Sequence, residues 1–371
     1  MIYLDNAATT KPCAECVKAV NEAMENGFGN ASSLHGLGSA SNSMIARARK
    51  TLLATVTGTK KPFDGSVLFT SGATESNNTA LLGSLHRFRP HGRKIVSTAI
   101  EHPSVTRMLT RFEEDGLEVV RLSPKDYDDF VEVLVNEVDE NTALLSAMAV
   151  NNETGFKIDV PRLYKEVKRK NPRTIVHIDA VQGFLKVPLD GDLISVSGHK
   201  VHSTKGVGAL FIKKGEYILP LLSGGGQQNN LRSGTEPVEL IAGFEAAVSA
   251  YRGNEEHFTQ LKARLLEKLA KMEDIGINSP ESVHYVPNIV NFSVRGVRSE
   301  IMLHSLEENE IYVSSGSACS KGKKSDVLPA FGISDKDIDC AVRVSFCADN
   351  TADDVDALCD KITKTIARIR R

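Results

Sequence analysis

No sign of charge predominates in this sequence. Its 45 Lys and Arg stand against 47 Asp and Glu, for a formal net charge of −2. A chain so balanced presents no strong field to nucleic acid or to a membrane surface, so neither is expected as a direct partner. A cysteine framework is also missing. The six cysteines follow no regular spacing, and 371 residues fold without disulfide staples, which makes a reducing cytoplasm the simplest compartment. No run reaches the roughly 18–20 apolar residues of a membrane span. The opening "MIYLDNAATT" has neither a basic region nor an apolar stretch and is not read as a signal peptide. Internal repeats and low-complexity tracts are absent too. What remains is an ordinary globular mix, 41% hydrophobic and 25% charged. It is too long for one compact core and suggests two domains, or one large domain with an appendage.

Short apolar runs alternate with helical patterns from about residue 66 to 212. "SVLFT" (66–70), "KIVSTAI" (94–100), "LEVVRL" (117–122), "TALLSAMAV" (142–150), "TIVHIDA" (174–180), "LISVSG" (193–198) and "GALFI" (208–212) read as strands. Several are apolar at successive positions, as strands buried on both faces are. Strand, helix, strand in succession implies parallel pairing and a doubly wound α/β domain. After Gly224-Gly225-Gly226 helix dominates. "NIVNFSV" and "RVSF" read as strands and "EIMLHSLEEN" as a helix. The last helix carries Val355, Leu358, Ile362, Ile366 and Ile369 on one face. The expected division is a large domain over residues 14–253. A smaller α+β domain is expected over 1–13 and 254–371.

Ligands in open α/β sheets bind at the carboxyl ends of strands, so the residues that follow each strand are the candidates. "SGATESNN" after the first strand places Gly72, Ala73 and Thr74 at a helix start, a phosphate cradle or an ordinary cap. "DAVQG" places Asp179 at a strand end in an apolar setting, where a carboxylate needs a donor or cationic partner. "SGHK" places Lys200 at the end of the next strand. An aspartate and a lysine so placed suit pyridoxal phosphate. The lysine forms the Schiff base, and the aspartate keeps the pyridine nitrogen protonated. A plain buried ion pair is the alternative. His102 in "EHPS", the turn "NNETG" and Arg343 in "RVSF" are further candidates, Arg343 for bidentate grip on a carboxylate.

In order along the chain stand "YLDNAATT", "FTSGATESNN", "EHPSV", "NNETG", "HIDAVQ", "SGHK", "KGVGAL", "RSGTE" and "SSGSACS". This ordered set resembles the cysteine desulfurases of the iron–sulfur assembly and nitrogen-fixation type, over essentially the whole chain. The resemblance implies a class V aminotransferase with the type I pyridoxal phosphate fold, working as a homodimer. It makes Lys200 the Schiff-base lysine, Asp179 the partner of the ring nitrogen, Gln182 the donor to the ring oxygen and His102 the residue stacked on the ring. It assigns the phosphate to Ala73, Thr74, Ser197 and His199, with Thr235 reaching the phosphate of the other subunit. Asn152 and Arg343 would bind the substrate carboxylate, and no metal is implied.

The same resemblance makes Cys319 the sulfur-accepting nucleophile. L-cysteine would become L-alanine, a persulfide would form on Cys319, and a sulfur-acceptor protein of iron–sulfur cluster, thio-cofactor or tRNA biosynthesis would take it. The surroundings of Cys319 agree. "SSGSACSKGKKSD" (314–326) has no large apolar residue about the thiol, Gly316 and Gly322 give backbone freedom, and Lys321, Lys323 and Lys324 favour a thiolate. "VHSTKG" after Lys200 lacks the proline usual in the family, and the segment after Cys319 is slightly shorter than in many relatives. Two alternatives stay open. One is a selenocysteine lyase or another lyase that does not need Cys319, and the other is a desulfurase-like binding or regulatory protein. Cys13 and Cys16 form a C-x-x-C, but with no second pair to complete a zinc site a surface or packing role is expected.

Overall fold

The computed structural model describes residues 1–56, 61–87, 92–125, 127–315 and 325–369. Cys319, with Gly316, Lys321, Gly322, Lys323 and Lys324, lies outside the described residues. The chain opens with β1 (Ile2–Tyr3), α1 (Ala14–Asn26) and α2 (Gly36–Thr55). The main sheet follows, built of β2 (Gly65–Thr70), β3 (Lys94–Thr98), β4 (Glu118–Leu122), β5 (Thr142–Met148), β6 (Ile175–Asp179), β7 (Leu193–Ser197) and β8 (Gly208–Lys213). Between these strands run α3 (Ala73–Gly83), α4 (Pro103–Glu114), α5 (Phe130–Glu137) and α6 (Val160–Lys170). Every residue of β3, β5, β6 and β7 is buried, because helices cover both faces, which is why these strands read as unbroken apolar runs.

The strand order is β2-β8-β7-β6-β5-β3-β4. β3 to β7 pair in parallel, as expected, but β8 runs antiparallel to both β2 and β7. The reason is length: only residues 198–207 separate β7 from β8, too few for a crossover helix. Because β8 is reversed on both sides, β2 points the same way as β7. The carboxyl ends of β2, β3, β5, β6 and β7 therefore share one edge, with Gly208 at the start of β8 beside them. Thr70 and Ser197 both pair with Gly208.

The rest of the chain comprises α7 (Val238–Ala250), α8 (Glu255–Leu269), β9 (Ile275–Ile277), β10 (Ile289–Val294), α9 (Ser299–Glu307), β11 (Ile311–Tyr312) and β12 (Ser314–Ser315). It ends with α10 (Asp335–Ile338), β13 (Ala341–Ser345) and α11 (Ala352–Ile369). The second sheet has the order β12-β13-β10-β9 and is antiparallel. It packs on α8 and α11 through Leu265, Phe292, Val344, Leu358 and Ile362. Leu4 is fully buried in this second cluster, and β1 pairs in parallel with β11. Burying Leu4 there draws residues 5–10 across the junction between the two cores, where their carbonyls meet the edge of the main sheet. Among the described residues no helix is long and apolar enough to cross a membrane.

Candidate active site

Each candidate from the main sheet is set by a strand end. Gly72 leads into α3 with φ +153° and makes no side-chain cap. The N–H groups of the first turn, at Ala73 and Thr74, are therefore left without an intrahelical acceptor. A Cβ on Gly208 would lie 2.7 Å from the Gly72 Cα, so glycine is required there to let the two backbones close up. The Ser197 hydroxyl is 3.9 Å from where a Gly72 Cβ would be. An uncapped helix start beside a serine is the right donor set for a phosphate.

His102 is the residue before α4, whose first position is Pro103. Its Nδ1 accepts from the Ser104 N–H at 3.1 Å and lies 2.8 Å from the Ser104 hydroxyl. Asn77 Nδ2 donates both to Ser104 Oγ at 2.9 Å and to Asp179 Oδ2 at 2.8 Å. A continuous polar chain thus links His102 to Asp179. Asn77 and Ser104, inside motifs quoted above, are site residues that sequence reasoning passed over. Their role depends on α3 and α4 meeting in space, which no local pattern reports. Burial pulls the His102 pKa down, the Asp179 charge opposes it, and Lys200 adds to the fall.

Asp179 is 4% exposed. Besides Asn77 it accepts from the Val181 N–H at 3.0 Å, and among the described residues it has no ion pair. Asn77 Oδ1 is buried without a partner. A nearly dry carboxylate with two neutral donors fits the protonated nitrogen of a pyridoxal ring better than it fits an isolated fold. Lys200 closes the short turn after β7, and its Nζ donates to the carbonyls of Ala7 at 2.6 Å and Ala8 at 2.8 Å. Gln182 Nε2 donates to the same Ala7 carbonyl at 2.8 Å. Lys186, with its Nζ 3.5 Å from the Lys200 carbonyl, is a second lysine that the sequence did not flag. Burial and the Lys200 charge pull it down to about 8. His199, 3.2 Å from Thr9 Oγ1, is pulled down to about 4 by burial and by Lys200 and Lys205, so it is neutral.

The proline-free "VHSTKG" turn is held from the N-terminal segment. His202 takes φ +62°. Its N–H donates to Thr10 Oγ1 at 2.7 Å, and its carbonyl accepts from Cys13 N–H at 2.9 Å. Cys13 Sγ in turn accepts from Cys16 N–H at 3.4 Å as the cap of α1. The C-x-x-C is thus part of this packing.

Asn152 and Arg343 come together, since Arg343 Nη1 donates to the Asn152 carbonyl at 3.0 Å. Arg343 is 1% exposed, and its Nη2 donates to Asp5 Oδ1 at 2.7 Å. Asp5, in the opening motif, is another partner that only the fold reveals. Ser314 of β12, two residues before the stretch containing Cys319, pairs with Arg343 in the sheet. Thr235 is exposed and makes no hydrogen bond to its own cradle among the described residues.

Glu101, also missed, is 2% exposed behind this site. Its Oε1 accepts from Thr98 Oγ1 at 2.6 Å and Met148 N–H at 2.8 Å, while Oε2 is buried without a partner. Burial raises its pKa to about 8, against the Thr98 bond and with the help of the Asp179 charge. A raised carboxyl contributes stability below its ordinary value and loses it as pH rises through the folded value. The wild type should therefore lose stability relative to Glu101→Gln between about pH 4.5 and about pH 8, with a constant gap above. Melting curves of both proteins across that window check this. Parallel curves would mean that Glu101 is already ionised in the fold.

Comparison with known proteins identifies the family. Residues 2–358 match the family model for class-V aminotransferases. A NifS/IcsS protein homolog of Lactobacillus delbrueckii subsp. bulgaricus is 35% identical, with 100% of this chain and 99% of that protein covered. The cysteine desulfurase IscS of Methanosarcina thermophila is also 35% identical, over 100% of this chain and 93% of its own length. The solved structure of a NifS-like protein superposes with a TM-score of 0.88 at 33% identity, covering 99% of both chains. The chain belongs to the class-V aminotransferase family of pyridoxal phosphate enzymes, among the cysteine desulfurases of the NifS and IscS type.

Proposed function

We propose that the chain converts L-cysteine to L-alanine, delivering the sulfur first to Cys319 as a persulfide and then to an acceptor protein. The observation that supports this reading is the placement of Asp179 and Lys200 at the carboxyl ends of neighbouring parallel strands, with His102 joined to Asp179 through Ser104 and Asn77. When bound, pyridoxal phosphate supplies the electron sink that stabilises negative charge at the substrate Cα.

The protein's own groups do the rest. The N–H groups of Ala73 and Thr74, with Ser197 and His199, would hold the phosphate, and Asp179 would keep the ring nitrogen protonated. Gln182 has a second N–H that it would offer the ring oxygen. His102, whose pKa burial lowers, would face the ring without adding charge. Asn152 and Arg343 fix the substrate carboxylate, so that the α-proton faces the Lys200 amine, which removes it and later returns a proton to the product. The Cys319 thiolate attacks the substrate sulfur. An S–S bond forms, the substrate C–S bond breaks, and the freed electron pair ends as a C–H bond of alanine. In sum, L-cysteine and the Cys319 thiol become L-alanine and the Cys319 persulfide.

The reading includes a homodimer in which Thr235 of the partner subunit completes the phosphate site. Supporting it are the exposure of Thr235 and of the apolar side chains Met24, Phe28, Leu34, Leu219, Leu221 and Leu222. It also includes the division at residues 13 and 253: the second hydrophobic cluster is drawn from Leu4 and residues 258–362, while Ala7, Val286, Ile289, Val327 and Ala330 pack across that division into the first. Holoenzyme given L-cysteine and a dithiol should yield alanine and sulfide in equal amounts, and should sediment as a dimer. Pyruvate and ammonia in place of alanine would replace this reading with β-elimination. Turnover of selenocysteine alone would make the chain a selenocysteine lyase.

A further inference from the structure

The turn that presents Asn152 also buries a carboxylate that the reaction above does not use. Glu153 is 6% exposed. Its carbonyl accepts from Asn291 Nδ2 on β10 at 3.1 Å, and its N–H donates to Asn151 Oδ1 at 3.0 Å. With the backbone held on both sides, the carboxyl is aimed at Ser325, whose hydroxyl donates to Glu153 Oε2 at 2.6 Å. The same hydroxyl accepts from the N–H groups of Val327 and Leu328, each at 3.1 Å. It thereby ties the short helical turn Leu328–Phe331 to Glu153.

Ser325 is the first described residue after 316–324. On the other side of that stretch, Ser314 and Ser315 pair with Arg343 and Val342. Both flanks of the segment holding Cys319 are therefore tied to the Asn152–Arg343 pair. One is tied by strand pairing, the other by a single buried side chain next to Asn152.

We infer that Glu153 is a positioning residue for sulfur transfer: its carboxyl fixes Ser325, and so sets where the chain after Cys319 rejoins the substrate-carboxylate site. The inference rests on the reading of Cys319 as the sulfur acceptor. Burial pushes the Glu153 carboxyl up to about 7, opposed by the Ser325 bond and the Arg343 charge and aided by Asp326. Near neutrality the neutral and ionised forms coexist, and both leave Oε2 able to accept from Ser325. A glutamine offers the same acceptor.

The test compares wild type, Glu153→Ala, Glu153→Gln and Ser325→Ala as holoenzymes. L-cysteine affinity is read from the cofactor's absorbance, and persulfide formation on Cys319 is followed in a single turnover by mass spectrometry. Glu153→Ala and Ser325→Ala should slow persulfide formation about tenfold to a hundredfold, the scale of a small misplacement of reacting groups, with affinity nearly unchanged. Glu153→Gln should restore most of the rate. Trypsin cleavage at Lys321, Lys323 and Lys324 gives a readout independent of the chemistry, and should be faster in the alanine variants but not in Glu153→Gln. Unchanged persulfide rates and cleavage in Glu153→Ala overturn the inference, and so does a glutamine variant as slow as alanine. Faster cleavage with no persulfide on the wild-type Cys319 would keep Glu153 as the anchor of this segment and remove Cys319 as the acceptor.

Discussion

Serine in place of Cys319 is expected to reduce alanine formation from L-cysteine by at least about a thousandfold, the scale on which losing an enzyme nucleophile is felt. The substitution changes one atom in a stretch of Gly, Ser and Lys whose one apolar neighbour is the small Ala318, so folding and cofactor binding should be preserved. A serine hydroxyl is hardly ionised near neutral pH and is a poor nucleophile toward sulfur, whereas a thiolate among lysines is a good one. In the proposed reaction Lys200, not Cys319, removes the α-proton. L-cysteine should therefore still bind and still perturb the cofactor's absorbance in Cys319→Ser, while alanine and sulfide disappear together. Alanine formed equally by wild type and variant would exclude Cys319 as the acceptor and move the assignment to a lyase.

Arg343→Ala should damage stability and substrate binding at once, and the two losses can be separated. Arg343 is 1% exposed, and it pairs with Asp5, whose side chain is 21% exposed. Removing one member of a buried pair costs about 3–5 kcal/mol, because the other charge is stranded. For a chain of this size that is a fall in melting temperature of about 5 °C. On the proposed reading, the same change removes the grip on the substrate carboxylate. Nη2 is taken by Asp5 and Nη1 by Asn152, while among the described residues Nε is buried without a partner, an N–H left for a ligand. KM for L-cysteine should therefore rise on the order of a hundredfold, the loss of a charge-assisted hydrogen bond or two. Lysine should not rescue it, since it lacks the planar fork. Adding Asp5→Asn to Arg343→Ala removes the stranded charge. The double variant should regain most of the melting temperature and none of the affinity. If affinity returns with stability, Arg343 serves only the fold.

Much of the main sheet was legible because its strands carry local signals. β5 and β6 are buried at every residue, so their apolar runs needed no knowledge of the partner strands. The helix start at Gly72, Ala73 and Thr74 was equally local, and α3 begins at Ala73. The caps His102 and Asp159, whose side chains accept a nearby N–H at the starts of α4 and α6, were not read in advance. Asp179 and Lys200 could be placed at strand ends for the same reason, and the ordered motifs pointed from them to the family. The direction of β8 was not legible, since a strand pattern is the same whichever way the strand is paired. Nor were β1, β9, β11 and β12, at two or three residues each, too short for any periodicity to show.

The sequence by itself determined which residues stand at strand ends, which helices begin where, and which chemistry the ordered motifs carry. These are matters of neighbours in the chain, where spacing and side-chain type act directly. Only the tertiary structure decided the partners. Asp5 meets Arg343 across 338 positions, Ser325 meets Glu153 across 172, and Asn77 meets Asp179 across 102. Buried polar groups must find donors or acceptors wherever the fold brings them. That search ends in contacts between distant segments, set by the burial of residues such as Leu4 in the second core rather than by any pattern around the groups themselves.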